Sequence, residues 1–314
     1  MKIFNNNLEY FCTENAVITI GVFDGMHSGH IALLQQTVEL AKKSGNESIL
    51  LTFSPHPRIV LNQEPEKLRM LTSLDEKINI ISNIGIDNII ILPFTIKLAS
   101  LSAEQFIEKY LVNKLKISQL VIGYNHRFGK GGITIDKLTE LSEKYGFSIY
   151  QFPVLQTHNG CPSSSKIRNL LLDGEIQEAN KLLGYNYIIS GKVTDGKKVG
   201  RSLSYPTANI LLNEPLKLLP PKGVYACFVK IKGKIYRGMT NIGIRPTVNN
   251  QNDKPSIEVH ILDFNDDIYS ENIELQFVVR VRDEIKFSNT DKLKEQIDKD
   301  KIAISKILDK YVGY

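Results

Sequence analysis

The first half of the chain alternates short β-branched runs with longer amphipathic segments. The runs at 17–22, 48–53, 88–92, 119–122 and 147–153 are brief and apolar, as strands beneath covering helices are. Between them Ile31, Leu34, Val38 and Ala41 recur at helical spacing, as do Phe106, Tyr110 and Leu111 within 103–115. This alternation predicts an open, doubly wound α/β domain built on a parallel sheet. Two short helices follow over 165–184, stopped by Gly174 and Gly184.

From Tyr187 the texture changes to short strands punctuated by Gly, Pro and Asn. GVYACFVKI and KIYRGMTNI flank Lys232 and Gly233 as a hairpin, so an antiparallel sheet or barrel is expected. A last amphipathic helix over 291–308 places Leu293, Ile297, Ile302, Ile304 and Ile307 on a rough stripe that would pack across the barrel. The boundary falls near residue 185, giving domains 1–184 and 185–314.

Composition agrees with two cores: 314 residues with 42% hydrophobic content exceed what one core usually holds. No apolar run approaches the roughly 20 residues of a membrane span. The start, MKIFNNNLEYF, lacks a basic stretch, an apolar core and a cleavage site, so a cytoplasmic protein without a membrane partner is expected. The net charge of +5 includes no run of five basic residues, which argues against a nucleic-acid arm and fits phosphate-bearing small molecules. Cys12, Cys161 and Cys227 suit neither a disulfide framework nor a zinc site, and buried thiols are expected.

Candidate chemistry lies first in ITIGVFDGMHSGHIALLQQ, where a strand passes through a turn with Gly21, Gly25 and Gly29 into a helix. Helix N-termini present N–H groups to anions, and glycines let a ligand approach the main chain. His27 and His30, three apart, can face one side and donate to a triphosphate. A helix opening with Ser163, Ser164 and Ser165 and carrying Arg168 is a second clamp for phosphate oxygens. In GKVTDGKKVGRSLSYPTANI, the glycines Gly191, Gly196 and Gly200 with Lys197, Lys198 and Arg201 suggest a basic loop over phosphates. Thr207 and Asn209 then share one side of an extended chain, where hydroxyl and amide oxygens can hold Mg²⁺ already bound to ATP.

Together these motifs resemble, in order and over nearly the whole chain, the bacterial bifunctional riboflavin kinase/FAD synthetase family. GVFDGMHSGH is similar to the HxGH signature of the Rossmann-like nucleotidyltransferases, which implies ATP contacts at Gly21, Phe23, Asp24 and Gly25 and catalytic His27 and His30. FSPHPR (53–58) resembles the family's flavin-side segment, implying Phe53, His56 and Pro57. VIGYNHRFGKGG (121–132) implies a nucleotide contact at Asn125. SSSKIR (163–168) resembles S-S-T-x-I-R, with Ser165 in place of the commoner threonine and Arg168 as a catalytic clamp.

In the second half the resemblance implies ATP contacts at Gly191, Lys192, Gly196, Gly200, Arg201 and Tyr205, metal ligands at Thr207 and Asn209, and the catalytic base at Glu258. VRDEIKF (281–287) implies Arg282 near the flavin. Ser204 and Ser270 depart from glycines common in the family. The implied activities are phosphorylation of riboflavin to FMN and adenylylation of FMN to FAD, with ATP and Mg²⁺, in a monomer or weak homo-oligomer. Two other readings stay open on sequence: a nucleotidyltransferase for another phosphorylated metabolite with a flavin-sensing barrel, and a flavin- or RNA-binding protein without turnover.

Overall fold

The structure, a computed structural model, describes residues 1–5, 13–62, 68–124, 132–158, 160–195, 205–245 and 254–311. They divide into two compact units, Met1–Leu68 with Leu74–Pro162, and Arg69–Ser73 with Ser163–Tyr314.

In the first unit β1 (Lys2–Asn5), β2 (Ala16–Ile20), β3 (Glu47–Ser54), β4 (Asn88–Pro93), β5 (Ile117–Gly123) and β6 (Ser148–Phe152) form one parallel sheet in the order β1-β4-β3-β2-β5-β6. The five expected strands are present, and β1 adds an edge too short and polar to register as a buried run. β2 is buried at every position because the sheet is covered on both faces. Its Ile18 packs with Ile49, Ile90 and Leu120 of neighbouring strands and with Phe106, Leu111 and Leu138 in one core.

The chain runs outward from β2 to β3 and β4, then returns to β5 on the other side of β2. That reversal opens a crevice at the carboxyl ends of β2 and β5, the usual ligand position in such sheets. Helix α1 (Ser28–Ser44) follows β2, α2 (Pro57–Val60) follows β3, and α3 (Leu74–Ser82) precedes β4. After α4 (Ile96–Ala99), the helix expected over 103–115 starts as α5 (Ala103–Phe106) under a Ser102–Gln105 capping box. It then widens into a π-helical stretch, Ile107–Val112. Helix α6 (Ile135–Tyr145) leads to β6.

The second unit begins with α7 (Ser164–Leu172) and α8 (Ile176–Leu183), with Gly174 and Gly184 left-handed at their ends as expected. β7 (Tyr187–Thr194), β8 (Ala208–Leu212), β9 (Gly223–Ile231), β10 (Lys234–Arg245), β11 (Lys254–Ile261) and β12 (Asn272–Arg282) close into an antiparallel barrel, β10-β11-β8-β7-β12-β9. Among the described residues each strand of the closed barrel has a neighbour on both sides. The β9–β10 hairpin turns on Lys232 (φ 47°) and Gly233 (φ 80°), the two left-handed residues that a two-residue turn needs. Tyr187, Ile189, Tyr225, Val259, Leu275 and Phe277 fill the interior.

Helix α9 (Thr290–Asp309) covers part of the outer face, burying Ile304 and Leu308 against Val224, Ala226, Met239 and Val278. One expectation needs correcting: Ile302 is 59% exposed, and the inward stripe runs instead through Asp300, 3% exposed. The short segment Arg69–Ser73 belongs to this unit as a strap. Met70 pairs in parallel with Lys217, whose buried ammonium donates to Leu71 O at 2.5 Å and lies 4.6 Å from the Tyr187 ring centre. Cys227 is buried as expected, with its thiol raised to about 12 by burial. Cys161 is only half-buried, because it lies on a connecting segment rather than in a core, and Cys12 lies outside the described residues.

Candidate active sites

At the carboxyl end of β2 the backbone leaves the sheet through a tight turn. Phe23 (φ 52°) and Met26 (φ 38°) are left-handed without being glycines, a conformation that persists only where surroundings enforce it. Gly21 makes room for it: a Cβ there would meet the Phe23 ring at 2.9 Å. His27 then caps α1, its Nδ1 accepting the His30 N–H at 3.3 Å. Because Nδ1 accepts, the neutral His27 ring carries its hydrogen on Nε2, the nitrogen left to donate to a ligand.

The two imidazoles stack at 3.6 Å and 17°, and Phe23 meets His30 edge-on at 5.1 Å. Burial lowers His27 to about 4 against the pull of Asp24. His30 is lowered well below its ordinary value, by burial first and then by His27 and Lys77. Both rings are therefore neutral at pH 7. Lys77 of α3, which sequence reasoning missed, is 6% exposed and donates to Val22 O at 2.5 Å. Burial lowers its ammonium to about 8, with Asp24 opposing. Its only sequence signal was a lysine on the buried face of a helix.

The structure thus brings Gly21, Phe23, Asp24, Gly25, His27 and His30 together. On the adjacent strand, Phe53 packs edge-on to Phe94 at 5.6 Å, and His56 caps α2 by accepting the Arg58 N–H at 3.1 Å, with Pro57 at the first helical position. Asn125 lies outside the described residues. Ser163 caps α7 through the Lys166 N–H, Ser164 and Ser165 open that helix, and Arg168 Nε donates to Arg69 O at 2.9 Å. All four belong to the compact unit of the barrel, not to that of the histidines.

On the barrel, β11 alternates: Ile257 and Val259 enter the core, and Glu258 projects to the outer face. Register aligns Asn209 of β8, Glu258 of β11 and Asn241 of β10 in one row across three strands. Paired residues share a face, so this row and Thr207, two before Asn209, stand on one surface. Over it lies a cavity of about 370 Å³ whose polar side includes Thr207, Asn241, Glu258 and Arg282. Met239, Ile285, Phe287 and Ile297 form its apolar side. A second cavity, about 330 Å³, is bounded by Pro206, Thr207, Ala208 and residues 264–269. Thr207 lines both.

Asn209 is 7% exposed, and its buried Oδ1 has no hydrogen-bond partner among the described residues. Arg282 is held by Asp300 of α9 through Nε at 2.9 Å and NH2 at 2.6 Å, and Gln296 supports the same carboxylate at 2.9 Å. Its guanidinium is thus oriented by the covering helix. Tyr205 donates to Asp298 of α9, which together with burial raises its hydroxyl to about 12. Its ring meets His260 edge-on at 5.2 Å on the first cavity.

Gly191 faces the barrel interior, and Lys192 is exposed on the outside. A Cβ at Gly191 would sit 2.5 Å from both Ile210 Cγ2 and Leu211 O, so close strand approach is reason enough for glycine there. Gly191→Ala should lower the thermal midpoint of the protein, with an overpacking cost of about 1–3 kcal/mol; an unchanged unfolding curve would refute this account. Gly196, Gly200 and Arg201 lie outside the described residues.

Comparison with known proteins agrees with both halves. The FAD synthetase family model matches residues 11–166 and the riboflavin kinase family model residues 183–308. The bifunctional riboflavin kinase/FMN adenylyltransferase of Bacillus subtilis is 37% identical over 289 residues, spanning 91% of this chain and 90% of that one. The protein of the same description from Buchnera aphidicola (Schizaphis graminum) is 40% identical, spanning 91% and 92%. A solved structure described as a macrolide-efflux protein of Streptococcus pneumoniae superposes with a TM-score of 0.86 at 30% identity, covering 96% of this chain and 98% of that one. Among the described residues no helix here is long and apolar enough to cross a membrane. With a parallel-sheet unit and a closed barrel each matched by its own family model, the chain belongs to the bifunctional riboflavin kinase/FMN adenylyltransferase family.

Proposed function

We propose that residues 185–314 phosphorylate riboflavin with Glu258 as base, and that residues 1–184 adenylylate the resulting FMN on the His27–His30 turn, in the cytoplasm. The observation that carries this reading is Thr207, which lines both cavities and stands on the same surface as the row holding Asn209 and Glu258. Phosphoryl transfer needs that layout: an acceptor on one side, a nucleotide on the other and a carboxylate beside the acceptor. The apolar side of the larger cavity suits an isoalloxazine, leaving the ribityl chain toward Glu258.

Glu258 takes the proton of the 5′-hydroxyl as that oxygen bonds to the γ-phosphorus of ATP and ADP departs. Mg²⁺ fits beside it, since Asn209 Oδ1 is a buried oxygen with no hydrogen-bond partner among the described residues and Thr207 adds a hydroxyl on the same face. Bound there, Mg²⁺ would neutralise charge on the ATP phosphates. In the second reaction a phosphate oxygen of FMN bonds to the α-phosphorus of another ATP and pyrophosphate leaves. The turn supplies fixed donors for the charge that develops, among them His27 Nε2–H. In this reading Asn125 contributes a nucleotide contact.

The proposed partners are riboflavin, FMN, FAD and ATP, without nucleic acid or membrane, in a monomer or weak homo-oligomer. Incubation with riboflavin and Mg-ATP, followed by separation of the flavins, should yield FMN first and FAD after it. FMN that accumulates without FAD, or unchanged riboflavin, would overturn the reading. Asn209→Ala should slow FMN formation about a hundredfold and raise the Mg²⁺ concentration needed for half-maximal rate. An unchanged Mg²⁺ dependence would remove Asn209 from the metal site.

A further inference from the structure

We propose that Lys77 is a positioning residue for adenylyl transfer, holding the left-handed turn that presents His27 and His30 to the nucleotide. The inference rests on the reading of that turn as the adenylylation site. Three independent features place Lys77 there. Its side chain comes from α3, outside the strand-to-helix motif, yet is buried with its ammonium bonded to Val22 O at 2.5 Å. Val22 is the residue immediately before Phe23, where the backbone turns left-handed. The same ammonium interacts electrostatically with Asp24 and His30, on either side of the cap.

A trans peptide sets C=O and N–H in opposite directions, so anchoring Val22 O to Lys77 turns the Phe23 N–H away from Lys77 and fixes the plane of that peptide. The neighbouring φ values of 52° and 38° belong to residues that leave this region when unsupported. A buried ammonium is costly to maintain, and here its hydrogen bond and Asp24 offset the cost. Its positive charge beside His30 also disfavours protonation of that ring. A hydrophobic residue in the same place would fill the space but supply neither the anchor nor the charge.

The test compares Lys77→Met and Lys77→Arg with the wild-type chain, assayed separately for FMN formation and for FAD formation from supplied FMN. Lys77→Met should lower kcat for FAD formation about thirtyfold or more, leave riboflavin phosphorylation within about twofold, and raise the pH at which the His30 ring titrates by imidazole NMR. Lys77→Arg, which keeps charge and donor, should recover at least part of the rate. The proposal is overturned if Lys77→Met forms FAD at the wild-type rate, or if His30 titrates unchanged while the rate falls only in step with lost folded protein. If Lys77→Met does not fold, Lys77→Arg and Lys77→Gln carry the same comparison, and equal activity in both overturns it. A wild-type chain that makes no FAD would instead refute the reading of the site.

Discussion

Glu258→Ala is expected to reduce FMN formation by about three orders of magnitude, while FAD synthesis from supplied FMN should proceed at the wild-type rate. The size of the effect follows from position. Glu258 is the one carboxylate on the row shared with Asn209 and Asn241, beneath the larger cavity and next to Thr207. Of the other carboxylates lining that cavity, Asp300 is engaged by Arg282 and Gln296, and Glu284 is not on that row. Product separation after incubation with riboflavin, and separately with FMN, distinguishes the arms. Riboflavin phosphorylation within tenfold of wild type would remove Glu258 from the proton transfer.

Replacing both His27 and His30 by alanine should give the opposite pattern, with FAD formation reduced about a thousandfold and FMN formation nearly intact. The two losses should not add, because His27 Nδ1 caps the backbone N–H of His30 and the rings stack, so either change disturbs the other. Equal loss of both products would refute the assignment of these residues to one reaction. A pH effect accompanies this. The folded chain protonates His27 only near pH 4, whereas an unfolded histidine takes its proton near 6.5. The His27 share of stability is therefore complete above about pH 6.5 and is lost as pH drops toward 4, about 3 kcal/mol, and His30, whose ring burial lowers as well, adds to the same slope. His27→Gln should flatten that part of the stability curve, measured by denaturant unfolding.

Much of both units was readable from periodicity because burial dictates it. Four central strands read as continuous apolar runs since the sheet is covered on both faces, and the glycines after α7 and α8 announce their stops through left-handed backbone. What periodicity could not deliver is pairing at a distance. Asp300 interrupts an apolar stripe, and only the fold reveals Arg282 opposite it; the expected Ile302 points to solvent instead. Lys77 was silent for the same reason, since a lysine in a helix reads as a solvated charge until its carbonyl acceptor, 55 residues earlier, is known. Gly191 suggested a ligand loop, though strand proximity alone accounts for it.

The strap also bears on how two activities came to share one chain. Arg69–Ser73 precedes the barrel by about a hundred residues, yet it packs with the barrel and supplies the carbonyl that satisfies the Lys217 ammonium. A gene cut anywhere after residue 73 therefore yields a kinase half with an interior cation robbed of its acceptor and Leu71 missing from its core. A barrel separated in that way loses one buried hydrogen bond and one core side chain, so it is expected to be less stable than the barrel within the whole chain.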